Sequence, residues 1–145
     1  MVRVGITGRG FKGFERAIDD FEDKVIDDVK RVVAETAEMM ANQMKALAPV
    51  SEIDGGNLRQ SIEVKYFNKG LSARIISGAS YSWYVEMGTG IYAENGDGRK
   101  TPWVYYSDKL GRYVFTRGFR SQPFFRPSYE RALNHFQREI NKLGV

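Results

Sequence analysis

Few side chains in this chain are equipped for chemistry. Cysteine is absent, so disulfides and thiolate metal sites have no material. The single histidine, His135, lies off the apolar stripe of its segment and reads as a surface residue, not a ligand or a base. One carboxylate stands out. Glu86 is the only charge in YSWYVEMGTG, residues 81–90. A buried carboxylate with a shifted pKa can act as a general acid or base, but a lone acid among aromatics more commonly caps a helix or pairs with a cation. Gly8, Gly10 and Gly13 in GRGFKG match the spacing of a dinucleotide-binding loop. That loop needs a second strand about 20 residues on, ending in an acid that holds the ribose. Here a helical pattern runs through Asp27 and Asp28 instead, so the glycines read as a flexible entry to a helix. No catalytic residue, cofactor or metal site is expected.

The elements that must position Glu86 follow from periodicity. Residues 2–7, VRVGIT, alternate as a short strand. Phe14, Ile18, Phe21, Val25, Val29, Val32, Thr36, Met40, Met44 and Leu47 then recur at a mean spacing of about 3.7, which is helical. Pro49 stops that helix. Unbroken, it would run roughly 50 Å, whereas a compact domain of this size is about 38 Å across. It must break or project, and a projecting stripe needs a cover, most simply a neighbouring copy. Residues 61–67 and 71–78 read as a hairpin about Asn68-Lys69-Gly70, with Ile62, Val64 and Tyr66 on one face. Tyr81–Met87 reads as a short helix stopped by Gly88. Residues 91–102 have no pattern and read as a mobile loop. A second hairpin, 103–106 with 112–115, turns at Ser107–Gly111. A last helix, from about 124 or 127 to Leu143, carries Tyr129, Leu133, Phe136 and Ile140 on one face.

With 145 residues, 42% of them hydrophobic and 28% charged, the chain is expected to be one soluble domain spanning 1–145. No apolar run approaches the roughly 20 residues that cross a membrane, and the N-terminus lacks a signal-peptide core, so a cytoplasm-like compartment is expected. The net charge of +4 is uneven. Residues 1–60 carry nine basic and eleven acidic side chains, a net of −2; residues 61–145 carry thirteen and seven, a net of +6. Such a split fits an acidic protein neighbour or, alternatively, a small basic nucleic-acid-binding domain. The basic residues are scattered, which weakens the second reading.

Three segments together resemble the phage tail-component family that includes lambda-type minor tail protein Z. They are Ala48-Pro49-Val50 with Gly56-Asn57-Leu58-Arg59 and Ser61-Ile62; Tyr81, Tyr84-Val85-Glu86 and Gly88-Thr89; and Pro123-Phe124-Phe125-Arg126-Pro127. Met87 departs from the family, which usually has an aromatic there, and residues 91–118 are longer than in its shortest members. The resemblance implies structural work at the joint between a DNA-filled head and a tail tube, in a tailed phage or prophage. It implies a ring of copies, six by the symmetry of such tail tubes, touching neighbouring neck and tail proteins, with no nucleic-acid contact beyond the DNA channel. It also implies location in the virion neck, with assembly in the host cytoplasm.

The expected fold is α+β, a small antiparallel sheet against a long N-terminal and a C-terminal helix. Tyr81, Trp83, Tyr84, Pro123, Phe124, Phe125 and Pro127 are expected to define the core. The expected partner contact uses Trp103 and Tyr105, with Arg99, Lys100, Arg112 and Arg117 around them.

Overall fold

The computed structural model describes residues 11–50 and 56–144, with side chains from residue 16 onward. The expected strand at 2–7, Gly8 and Gly10 lie outside the described residues, as does the side chain of Phe14. Helix α1 spans Phe11–Leu47 without a break, about 55 Å of helix at 1.5 Å per residue. Its two halves differ. From Val32 onward the stripe is core: Val32, Val33, Ala37, Met40, Ala41 and Met44 are buried. From Arg16 to Lys24 every residue is exposed, and Phe21 is 66% exposed. Of the two outcomes open to so long a helix, projection is the one adopted.

The inward line differs slightly from the expected one. Leu47 is exposed, and Ala48 takes the next inward position, its N–H donating to the Met44 carbonyl at 2.8 Å. Thr36 is half-buried, and its hydroxyl has no partner. After α1, the short helix α2 (Asn57–Gln60) drops Leu58 into the core at 1% exposure. Gly56 precedes it at φ +79°, a backbone region open mainly to glycine. Arg59 donates to the Ala48 carbonyl at 3.3 Å, which satisfies an end group of α1.

Strands β1 (Ile62–Phe67) and β2 (Ser72–Ser77) form the first hairpin, with Val64 opposite Ile75. Ile62 is buried; Tyr66, farther out on the same face, donates its hydroxyl to Glu38 of α1 at 2.8 Å. Helix α3 (Ser82–Met87) follows. Strands β3 (Trp103–Ser107) and β4 (Arg112–Thr116) form the second hairpin, with Tyr105 opposite Val114. The two hairpins do not pair, so the expected sheet is two separate two-stranded ribbons. Helix α4 (Arg126–Lys142) packs on α1 and completes the α+β fold.

The face α4 turns inward is only partly the expected one: Phe136 and Ile140 are half-buried. Tyr129 and Leu133 are 50% and 41% exposed, whereas Ser128 and Ala132 are buried. Two helices approach closely only where side chains are small, so Ser128 and Ala132 form the contact ridge and the larger residues flank it. Ser128 donates its hydroxyl back to the Phe124 carbonyl at 2.6 Å, so its own polar group is satisfied at that contact. His135, expected at the surface, is half-buried.

The core joins α1, α2, β1, α3 and α4 through Met40, Ala41, Met44, Leu58, Ile62, Val85, Phe124 and Ala132. Only Phe124 of the expected core set is fully buried. Tyr81 and Pro127 are half-buried; Trp83, Tyr84 and Phe125 are 60%, 55% and 40% exposed, and Pro123 is exposed. The reason lies in the docking of α3. A six-residue helix can bury one face, and the face held inward here is Val85–Glu86.

Candidate functional site

Glu86 is 6% exposed and organises the junction between α3 and α4. Its Oε2 accepts from the backbone N–H groups of Phe124 and Phe125, each at 2.9 Å. Its Oε1 accepts from the backbone N–H of Arg126 and from the Arg126 Nε, each at 3.0 Å. These amides belong to the first turn of α4 and the residues entering it, where no intrahelical acceptor exists. The carboxylate is thus an N-terminal cap delivered from 38 to 40 residues away in sequence. It also meets the positive end of the α4 dipole. Four donors fill the four lone-pair positions of a carboxylate. Of the roles open to Glu86, this is the cap and ion-pair partner.

Burial opposes the charged form of Glu86, but the amides of Phe125, Arg126 and Phe124 and the Arg126 guanidinium together outweigh it. The Glu86 pKa therefore falls below the usual carboxylate value. The same guanidinium reaches a second acid: Arg126 Nη2 lies 2.8 Å from Glu94 Oε2, and Ser121 donates to Glu94 Oε1. Those hydrogen bonds, from Ser121 first and Arg126 next, lower the Glu94 pKa. Glu94 lies in the stretch expected to be a mobile loop. That stretch has fixed points: the Glu94 backbone N–H donates to Met87 O at 2.9 Å, and Ile91 N–H donates to Arg117 O at 3.2 Å.

Main-chain bonds extend the junction. Gln122 N–H donates to Val85 O at 2.8 Å, and Thr89 N–H to Phe119 O at 2.9 Å. Phe119 N–H in turn donates to Thr89 Oγ1 at 3.0 Å. The Gly-Thr-Gly end of α3 explains itself here. Gly90 and Gly118 have φ of +62° and +107°, and a Cβ on either would collide with the main chain of the other segment. Gly90→Ala or Gly118→Ala is expected to destabilise by about 1–3 kcal/mol or more through strain and collision, read as a lowered melting temperature. Gly96→Ala has open space around it, so only its φ of +76° is penalised, and it should cost less than either.

The second hairpin offers two unlike faces. Trp103 and Tyr105 point to the domain side and line a cleft of about 350 Å³ with Tyr81, Tyr84, Thr89, Thr116 and Phe119. Val104, Tyr106, Tyr113 and Phe115 form the opposite face, 58%, 52%, 74% and 64% exposed. Tyr106 and Tyr113 are directly opposite each other and meet edge to face, with centroids 5.2 Å apart. The structure brings Arg99 over the Trp103 ring at 5.6 Å, and Lys100 donates to Gly96 O at 3.0 Å. Arg112 begins β4 and Arg117 directly follows it. None of these four cations pairs with a carboxylate among the described residues. Alternation in the sequence separates the two faces; it carries no information about which one the domain covers.

A family model described as "Bacteriophage HK97-gp10, putative tail-component" matches residues 12–88. The match runs from the start of α1 to Gly88, so it includes the core half of α1, the first hairpin and Glu86. No curated protein and no solved structure matches the chain. A match over more than half of the chain shows the family, and the chain belongs to the HK97 gp10-like family of bacteriophage tail components.

Proposed function

We propose that this protein is a structural virion component that joins head to tail, or completes the tail, in a tailed phage or prophage. It works as a closed homo-oligomeric ring of six copies, in contact with neighbouring neck and tail proteins. Family membership supports the tail assignment. The observation that carries the ring is the exposed first half of α1. Its apolar stripe continues the core stripe, yet Ile18, Phe21 and Ile26 are 41%, 66% and 42% exposed. A helix that leaves such a stripe in water is completed by a partner.

Electron microscopy of lysates from a phage lacking this gene tests the role. Full heads lying apart from finished tails are the expected result; intact infectious particles would overturn it. Cryo-electron microscopy of complete particles tests the ring. Several symmetry-related copies at the head-proximal end of the tail are expected, and a single copy there would rule out a ring.

A further inference from the structure

The exposed half of α1 and the exposed face of the second hairpin are complementary, and we propose that they bind each other between adjacent copies of the chain. This rests on the ring reading above and names its interface. Both surfaces are apolar at the centre. The helix offers Ile18, Phe21 and Ile26; the hairpin offers Val104, Tyr106, Tyr113 and Phe115. The segments that carry them have opposite net charge. Residues 16–28 carry six acidic and two basic side chains, a net of −4. Residues 99–120 carry six basic and one acidic, a net of +5. Asp19, Asp20, Glu22, Asp23 and Asp27 pair with no basic side chain among the described residues, and Arg112, Arg117 and Arg120 pair with no carboxylate there. Potentials of opposite sign around apolar centres fix register and suppress wrong partners.

Size agrees as well. Residues 16–28 form about 20 Å of helix, and a five-residue hairpin is about 17 Å long. The two surfaces are different, so the contact is head-to-tail. A head-to-tail contact closes into a ring when its rotation allows and does not saturate in a two-fold dimer. The T-shaped Tyr106–Tyr113 pair makes the hairpin face a preformed platform.

The chain has no cysteine, so introduced thiols report without background. Phe21→Cys on one copy, and Tyr106→Cys or Tyr113→Cys on the other, would be supplied together to cells infected by a phage lacking the gene. Purified particles would then be treated with a short bismaleimide. A dimer band in the mixed particles, and a ladder up to ring size when one chain carries both substitutions, is the expected result. Particles that contain several copies but give no dimer overturn this interface and leave the ring standing. Particles with one copy overturn both. Charge reversal gives a second test independent of the thiols. Asp20→Lys with Asp23→Lys should abolish rescue of the phage, and adding Arg117→Glu with Arg120→Glu on the same chain should restore it. If the four-fold variant rescues no better than the first pair while both remain folded by circular dichroism, the interface is overturned.

Discussion

Glu86→Ala is expected to destabilise the protein by about 2–4 kcal/mol, because several hydrogen bonds to one charged acceptor are lost together. The substitution leaves the N–H groups of Phe124, Phe125 and Arg126 without their acceptor, the first of them buried and the other two partly so. An ordinary cap costs about 0.5–2 kcal/mol to lose; this one serves three amides and a guanidinium at once. Glu86→Gln isolates charge from shape. The amide keeps one acceptor oxygen but turns an NH₂ towards N–H donors, so about 2–3 kcal/mol of loss is expected. Urea unfolding at neutral pH measures both. Changes within about 0.5 kcal/mol for either variant would show that α4 starts without the carboxylate.

The same network sets a pH dependence. The Glu86 pKa is lowered in the folded protein. Its stabilising contribution is therefore fully present above the unfolded value of about 4.3. It is lost as pH falls through the lower folded value. Glu94 titrates in the same direction, so acid unfolding of the wild type alone does not isolate Glu86. The gap in stability between wild type and Glu86→Gln does. It should be widest near neutral pH and narrow steadily as the solution is acidified below about pH 4. A gap constant with pH would mean that Glu86 acts by size and not by charge.

Phe124→Ala is the second large effect, about 3–5 kcal/mol for truncating a fully buried aromatic. Phe124 is 2% exposed and packs in the cluster that joins Met44, Leu58, Ile62 and Val85. A typical domain has about 5–15 kcal/mol in all, so a large share of the fold's stability depends on this ring. Trp83→Ala provides the contrast. By size Trp83 is the stronger core candidate, but it is 60% exposed, and its truncation should cost less than about 1 kcal/mol. Thermal melts of the pair discriminate: a large fall for Phe124→Ala beside a small one for Trp83→Ala is expected. Equal falls would place α3 with its aromatic face inward.

The local elements were legible because their signals are local. The recurrence of apolar residues every three to four positions, ended by Pro49, is enough to write α1. Alternation around Asn68-Lys69-Gly70 and around Ser107–Gly111 is enough to write both hairpins. The family was legible too, since the motifs Ala48-Pro49-Val50, Asn57-Leu58-Arg59 and Tyr84-Val85-Glu86 fall within the matched span.

Which way those elements face was decided only by the tertiary structure. In α3, hydrophobicity favours burying Trp83 and Tyr84. The carboxylate of Glu86 and the Val85 carbonyl instead hold the opposite face against residues 122–126. Four polar hydrogen bonds across 38 to 40 residues of sequence leave no periodic trace in it. In α4, the stripe Tyr129–Leu133 follows the apolar pattern, but close approach to α1 selects Ser128 and Ala132, because the distance between helix axes depends on side-chain size. Composition records how much apolar surface a segment carries; only docking decides which part of it is covered and which part remains to meet a neighbour.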